Sequence, residues 1–396
     1  MKKVFLSLAV LALATIANAQ CSNRYQDSIF ASVTKTTVQY SSAYNLSMDI
    51  YTPDGDAETN RPAILLAHGG SFTGGSRAET TIVKLCERFA KRGYVTASMS
   101  YRLTSNPLNM LSPSTGYPVV MKAISDGKAA VRYLKANAAT YGIDSSMIIV
   151  GGNSAGGILM CHLAWIDDTT EVSNDAIILQ AINDNGGIEG NSGNPGPTSK
   201  VVAVVDWAGG IKDTTWISTG NAPVVSLHGD PDGTVPYGYG QVLGGASQIT
   251  IHGPGSYTKR LDNIGITQWH KRYPGGDHQP WGGSGTGATF NEADSISRDF
   301  LYQEVVCKTA SGINAVKEQV NMKIYPNPAV GAITVSLDKF NEKTQVQLTD
   351  LQGRTLSLQP AATQVTFERN NLPAGMYLVQ VIADKAIVAV KKVEWQ

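Results

Sequence analysis

A short motif bounded by glycines carries a serine at the point where an apolar run ends. Residues 148–150 lead into Gly152-Asn153-Ser154-Ala155-Gly156. A strand that ends in such a turn and passes into a helix lifts the serine hydroxyl clear of the sheet in a strained backbone conformation. The flanking residues must be tiny, and glycine fits because it has no Cβ atom. The motif therefore predicts that Ser154 is a nucleophile.

A serine nucleophile needs a general base at neutral pH, and this base is a histidine oriented by an acid. In hydrolases with this turn, the acid and then the histidine follow the serine along the chain. His228, His252, His270 and His278 all follow Ser154 here. His278 follows a probable strand, and the preceding glycines allow its loop to reach Ser154. We therefore predict that His278 is the base and that His228 is structural.

Three aspartates lie after probable strands and could orient this histidine. Asp232 follows the run 224–227, on a loop from which its carboxylate can reach Nδ1 of an imidazole. Asp230, a near neighbour, and Asp206, which follows the run 201–205, remain alternatives. We predict that Asp232 is the acid.

The oxyanion of an acyl-transfer intermediate needs backbone amide donors. The amide of Ala155, directly after the nucleophile, is one candidate. Gly70 and Ser71, in the run His68-Gly69-Gly70-Ser71-Phe72 at the end of an earlier strand, are the others. We predict an oxyanion hole formed by Gly70, Ser71 and Ala155, with His68 bracing the loop.

Alternating strands and helices must position these residues, and this alternation is typical of a doubly wound, mostly parallel sheet. A strand is predicted at 46–51, and its alternation of apolar and polar residues indicates that it is exposed. Further strands are predicted at 63–67, 94–99, 148–150, 201–205 and 224–227. The helices are predicted at 79–92, 121–138 and 155–165. Two stretches, 183–197 and 238–266, look like polar loops that could cap an open cleft, which favours short acyl groups.

Composition excludes some classes of partner. Lys+Arg and Asp+Glu are both 32 in 396 residues, so no net field favours nucleic acid or an anionic membrane. Lys2 and Lys3, a short apolar run and Ala17-Asn18-Ala19 predict a signal peptide over 1–19 and no transmembrane segment.

Four cysteines follow the predicted cleavage site: Cys21, Cys86, Cys161 and Cys307. An oxidising destination permits disulfide bonds, and the sequence leaves their connectivity open. No spacing indicates a metal site or a cofactor.

The composition changes after Cys307. A polar linker over 309–320 is predicted to separate a catalytic domain at 20–308 from a domain at 321–396 with short strands and no histidine or cysteine. Short strands at close spacing predict a small all-β sandwich.

The motifs together resemble those of a known fold family. The run from His68 to Phe72, Ser100-Tyr101-Arg102-Leu103 and the glycine-rich turn at Ser154 are similar to α/β-hydrolase esterases of the hormone-sensitive-lipase and carboxylesterase kind, and to deacetylase/feruloyl-esterase-like domains. The run from His228 to Pro236 resembles the acid motif of that fold. The resemblance covers about residues 30–305 and implies a triad of Ser154, Asp232 and His278. Two departures are Ser71, where a third glycine is usual, and Asn153, where an aspartate is usual.

The tail carries a second resemblance. Ile324-Tyr325-Pro326-Asn327-Pro328 and the later runs 348–354 and 372–377 are similar to the C-terminal sorting domain of type IX secretion cargo. This resemblance implies a partnership with the type IX machinery, and export from the periplasm across the outer membrane to the cell surface or medium.

These observations predict a secreted serine esterase that needs no cofactor and acts on short-acyl esters or on polysaccharide-linked acetyl or feruloyl esters. A peptidase, lipase or polyesterase on the same fold, or an inactive binding module, are the alternatives.

Overall fold

The computed structural model describes residues 23–307, 320–350, 354–370, 372–383 and 386–396. The chain divides into two compact units, residues 1–307 and 308–396. The predicted signal peptide, Cys21 and residues 309–319 of the predicted linker lie outside the described residues.

Ten strands lie within residues 23–307, the described part of the first unit. They are β1 (Val33–Ser41), β2 (Leu46–Pro53), β3 (Arg61–Ala67), β4 (Val95–Met99), β5 (Ile143–Asn153), β6 (Ala203–Trp207), β7 (Val224–Gly229), β8 (Tyr239–Gln241), β9 (Thr250–His252) and β10 (Gln268–Tyr273). Eight of them form one sheet in the order β1-β2-β4-β3-β5-β6-β7-β10, and β8 pairs with β9. From β4 to β10 all pairs in the large sheet are parallel, whereas β1, β2 and β4 pair antiparallel. The sheet is therefore mostly parallel, as predicted.

Helices cover both faces of this sheet. They are α1 (Thr80–Lys91), α2 (Pro113–Ala136), α3 (Ala138–Tyr141), α4 (Ala155–Trp165), α5 (Ala176–Asp184), α6 (Pro254–Asn263) and α7 (Ala288–Leu301). Alternate residues of β3 enter two separate cores: Leu65 packs in a cluster with residues of α2 and α4, and Leu66 in a cluster with residues of α1 and α7. Burial on both faces explains why β3 is a continuous apolar run.

The structure corrects three predictions of local structure. The strand at 46–51 is mostly buried rather than exposed, because β2 lies between β1 and β4 and α1 packs against it. The helix predicted at 121–138 begins at Pro113, since proline is tolerated at the first helical position. The predicted loop at 238–266 contains α6 and the β8–β9 pair, because the Gly253-Pro254 step that reads as a turn starts a helix.

The second unit is all antiparallel β-structure within its described residues. Its strands are β11 (Met322–Tyr325), β12 (Ala332–Leu337), β13 (Gln345–Thr349), β14 (Thr355–Pro360), β15 (Gln364–Glu368), β16 (Gly375–Ala383) and β17 (Ala386–Trp395). They form a sheet in the order β11-β12-β15 and a sheet in the order β14-β13-β16-β17. Apolar residues of both sheets share one core cluster, which confirms the predicted all-β domain. Across the described parts of both units, no helix is long and apolar enough to cross a bilayer.

Candidate active site

The serine turn joins β5 directly to α4, and Ser154 is the residue between them. Its backbone has φ 58° and ψ −121°, a sparsely populated region that costs a non-glycine residue about 1–3 kcal/mol. The Ser154 amide donates to the Trp207 carbonyl at 2.8 Å, which anchors the turn to β6. The surrounding structure therefore holds the serine in a strained conformation at the carboxyl edge of the sheet.

Both flanking glycines are required by close backbone packing. A Cβ atom on Gly152 would lie 2.4 Å from the Gly156 carbonyl carbon, and one on Gly156 would lie 2.1 Å from the Ala67 carbonyl oxygen. Real Cβ atoms essentially never approach other atoms within 3.0 Å. The turn therefore packs backbone against backbone between β5, α4 and the end of β3.

The structure brings Ser154, His278 and Asp232 into one chain of hydrogen bonds. The Nε2 atom of His278 lies 2.7 Å from Ser154 Oγ, and its Nδ1 atom lies 2.7 Å from Asp232 Oδ2. The carboxylate accepts the Nδ1–H, so Nε2 of the neutral ring is free to accept the hydroxyl proton. The three residues follow β5, β7 and β10, whose carboxyl ends meet at one edge of the sheet.

The Asp232 side chain is fully buried, and both of its oxygens are hydrogen-bonded. Its Oδ1 accepts from the amides of Thr234 at 2.7 Å and Val235 at 2.9 Å. Burial raises the pKa of Asp232, but hydrogen bonds from His228 and His278 outweigh it and hold this pKa well below its usual value. The carboxylate therefore stays ionised.

The two alternative acids have other partners. Asp230 is paired with Arg272 and accepts from the Gly275 amide at 2.7 Å. Asp206 is buried and accepts from the Tyr257 hydroxyl at 2.6 Å, and burial raises its pKa. Within the described residues, neither is hydrogen-bonded to His278.

Two of the three predicted amide donors line a cavity together with Ser154: Ser71 and Ala155. The third, Gly70, does not line it. The backbone has positive φ at Gly70 (111°), Ser71 (52°) and Phe72 (60°), so the loop after β3 turns sharply. Ala155 is the first residue of α4, where an amide has no acceptor within the helix.

A partly buried carboxylate that sequence reasoning missed joins this loop to the serine turn. Glu79 accepts from the Gly69 amide at 2.7 Å and from the Asn153 side-chain amide at 3.1 Å. Burial raises the pKa of Glu79 despite these two hydrogen bonds. The contact explains the departure at Asn153, because an aspartate there would face Glu79 with a second acceptor and a like charge.

The predicted brace at His68 lies beneath the same loop. Its ring stacks on Tyr101 with centroids 4.3 Å apart, and its Nδ1 atom lies 2.7 Å from the Gly69 carbonyl oxygen. The Tyr101 hydroxyl donates to the His68 carbonyl at 2.8 Å. These contacts fix the strand end from which the loop departs.

The cavity beside Ser154 is small, at about 60 Å³. Most of its lining side chains are apolar: Phe72, Met110, Tyr117, Val120, Met121, Ile158, Val235, Val242, Leu243, Ile249 and Ile251. The last four come from the segment after β7, so the prediction of a polar cap from 238–266 is wrong. The alternation of apolar and polar residues at 249–251 is typical of a strand with one apolar face, and it was the sequence signal for this apolar lining.

The other predicted cap loop lies elsewhere, against α2. The Arg132 side chain donates to the carbonyls of Glu189, Gly193 and Asn194. None of residues 183–197 lines the cavity beside Ser154. The loop therefore wraps around the Arg132 side chain, and this explains why it is rich in Gly, Asn and Pro.

The cysteines divide into two states. Cys86 and Cys161 are buried free thiols, whereas Cys307 is disulfide-bonded. Burial raises the pKa of both free thiols.

Two family models match separate parts of this chain. Residues 48–214 match the BD-FAE family, and residues 323–394 match the secretion system C-terminal sorting domain family. Both resemblances that the sequence indicated are therefore confirmed: an esterase domain of α/β-hydrolase fold precedes a sorting domain.

Curated relatives cover the same region only in part. Gut esterase 1 of Caenorhabditis briggsae is 27% identical over 36% of this chain and 25% of its own length. Carboxylesterase NlhH of Mycobacterium tuberculosis is 27% identical over 38% of this chain and 42% of its own. The matched region thus spans less than half the length of each of these relatives.

The fold has a solved counterpart. The structure of esterase 2 from Thermogutta terrifontis with butyrate bound superposes with a TM-score of 0.51 at 20% identity, over 69% of this chain and 95% of that one. At this identity the likeness establishes the α/β-hydrolase fold.

Proposed function

We propose that this chain is a secreted serine esterase, a carboxylic ester hydrolase that works through an acyl-enzyme. The observation that carries the proposal is the unbroken series of hydrogen bonds from Ser154 Oγ through His278 to Asp232. Nucleophile, base and orienting acid lie within hydrogen-bond reach of one another, as this chemistry requires.

In the first half-reaction, Ser154 Oγ attacks the ester carbonyl carbon while its proton passes to Nε2 of His278. The oxyanion that forms accepts hydrogen bonds from the amides of Ser71 and Ala155, with Gly70 shaping the loop or contributing a third donor. Collapse of this intermediate expels the alcohol, which takes the proton from Nε2. Asp232 stabilises the transient imidazolium and keeps its own negative charge.

In the second half-reaction, water attacks the acyl group on Ser154 and gives a proton to Nε2 of His278. The tetrahedral intermediate then releases the carboxylic acid, and the proton returns to Ser154 Oγ. Asp232 is ionised in both half-reactions, so it stabilises the imidazolium of His278 in each of them.

The small apolar cavity supports a short acyl group. A volume of about 60 Å³ beside Ser154 favours acetyl and other short chains over the much larger feruloyl group, so acetyl groups on a polysaccharide are the finer substrate proposal. The butyrate in the structurally similar esterase agrees with a short acyl group.

Export through the type IX secretion machinery supports a substrate outside the cell. The sorting-domain match at residues 323–394 carries this part of the proposal. Delivery from the periplasm to the cell surface or medium would bring the enzyme to polymer-bound esters.

Labelling with a fluorophosphonate tests the mechanism. The wild type is expected to be labelled, whereas Ser154→Ala is not. Ser154→Ala and His278→Ala are each expected to lower kcat by several orders of magnitude, with no additive loss in the double variant. Asp232→Asn is expected to lower kcat by as much as Ser154→Ala and His278→Ala or by less. Asp206→Asn is the control that tests the alternative acid. A crippling Asp206→Asn and a mild Asp232→Asn would overturn the acid assignment.

A substrate panel separates the candidate activities. It comprises p-nitrophenyl esters of rising chain length, acetylated xylan, methyl ferulate and a peptide. Hydrolysis of the peptide with inert esters would favour a peptidase, and an unlabelled wild type would favour an inactive binding module.

A further inference from the structure

A second histidine contacts the proposed acid. The Nε2 atom of His228 lies 3.1 Å from Asp232 Oδ2, the same oxygen that His278 Nδ1 approaches to 2.7 Å. Both the His228 and Asp232 side chains are fully buried. One carboxylate oxygen therefore faces two imidazole rings.

The surroundings of His228 fix the position of its hydrogen. The Nε2 atom lies 3.1 Å from the Asp232 carboxylate and 2.9 Å from the Val235 carbonyl oxygen, both of which only accept. Nε2 must therefore carry the hydrogen and donate to both. The buried Nδ1 atom has no partner among the described residues, so a second proton there would be an unpaired buried donor. His228 thus donates its Nε2 hydrogen to the Asp232 carboxylate.

Titratable groups surround this ring from three strands or loops. The Tyr237 ring lies edge-on to His228 with centroids 6.0 Å apart, and His270 on β10 and Asp206 on β6 are close enough to His228 to interact with it electrostatically. Burial lowers the pKa of His270 to about 4, so His270 is neutral at neutral pH. His228 therefore supplies Asp232 with a directed hydrogen bond from Nε2.

The geometry points to His228 as a positioning residue that holds Asp232 Oδ2 in the orientation that His278 needs. This inference rests on the proposed esterase function. Two backbone amides fix Oδ1 of the carboxylate, but without His228 only His278 would fix Oδ2. The hydrogen bond also lowers the basicity of the carboxylate, so the proton remains on the imidazole of His278 during the reaction.

Steady-state kinetics of His228→Ala and His228→Gln test the inference. Glutamine can place an N–H donor near the position of Nε2. His228→Ala is expected to lower kcat about 10- to 100-fold, as a misplaced catalytic group does, with KM within about twofold because His228 does not line the cavity. His228→Gln is expected to recover part of kcat.

His270→Ala is the matched control. His270 lies on the adjacent strand and its ring contacts Ser226 and Tyr237, each at 3.0 Å, but not Asp232. This variant is expected to lose thermal stability while keeping the wild-type kcat.

The Asp232→Asn background separates positioning from packing. If His228 acts through Asp232, His228→Ala will not lower kcat further in that background. An equal fold-loss in both backgrounds, or a kcat for His228→Ala no lower than for His270→Ala, would overturn the inference.

A measurement independent of turnover is the downfield proton resonance of the His278 Nδ1–H. It is expected to shift or broaden in His228→Ala and to persist in His228→Gln and His270→Ala. A resonance unchanged in His228→Ala would refute the positioning role even if no ester were hydrolysed, whereas an inactive wild type with a responsive resonance would refute only the proposed function.

Discussion

Adding one methyl group at Gly156 is predicted to damage catalysis more than stability. The Cβ atom of Gly156→Ala would lie 2.1 Å from the Ala67 carbonyl oxygen and 2.7 Å from that of His68, both backbone atoms that cannot rotate away. Reaching the 3.0 Å that real Cβ atoms keep requires the end of β3 and the start of α4 to separate by about 0.9 Å.

The cost in stability is expected to be moderate. Overpacking of a core costs about 1–3 kcal/mol, and replacing a helical glycine by alanine returns about 0.5–1 kcal/mol. The free energy of unfolding should therefore fall by about 1–2 kcal/mol.

The cost in activity is expected to be larger, because β3 leads directly into the loop that holds Ser71. A displacement near 1 Å between nucleophile and oxyanion donor costs about 100-fold in rate. We would measure kcat/KM on p-nitrophenyl acetate and the free energy of unfolding in urea. Gly283→Ala is the control, since a Cβ atom there meets nothing within 4 Å. Activity of Gly156→Ala within threefold of the control would refute the reasoning.

Three further predictions concern the cavity, the tail and pH. Activity on p-nitrophenyl esters should peak at short chains, and Met121→Ala, which enlarges the cavity of about 60 Å³, should move the peak to longer ones; a wild-type peak at long chains with activation at an oil–water interface would contradict this. A chain ending at Ala310 and made in a foreign host should keep the wild-type kcat/KM on a small ester, and the same truncation in the native host should leave the enzyme in the periplasm; lost activity or solubility would place the tail in the catalytic unit. Burial lowers the pKa of His162 and His270 from 6.5 to about 4. Between these two pH values the unfolded chain binds protons that the folded chain does not. The free energy of unfolding therefore falls as the pH drops from 6.5 towards 4, by about 1.4 kcal/mol per pH unit for each histidine. Urea unfolding across this range should give a shallower slope for His162→Gln, and an unchanged slope would refute its burial as a neutral group.

The parts of the site that depend on local chain geometry could be predicted from the sequence. The strained turn at Ser154 needs small neighbours that are adjacent in the chain, and α4 begins and ends at the predicted residues. Asp206 and Asp232 both follow strands and both precede His278, so the sequence left Asp206 open as an alternative acid. The distance of 2.7 Å between Asp232 Oδ2 and His278 Nδ1 favours Asp232.

Contacts between distant segments could not be predicted in this way. Glu79 reads as one more polar residue at the start of an amphipathic helix, and only the fold brings it to Gly69 and Asn153. Ile249 likewise reads as part of a loop, but its side chain lies 2.4 Å from where a Cβ atom on Gly116 would be. Tertiary packing of this kind decided what lines the cavity.

The two buried thiols set an order of events for oxidative folding. Exchange with a disulfide needs an accessible thiolate, and burial both removes access to Cys86 and Cys161 and raises the pKa of each. Once α1 and α4 have packed, neither thiol can attack the disulfide at Cys307. Mispairing is therefore confined to the interval before these helices dock, so a cell that delays oxidation until the core has formed obtains the native bond without an isomerase.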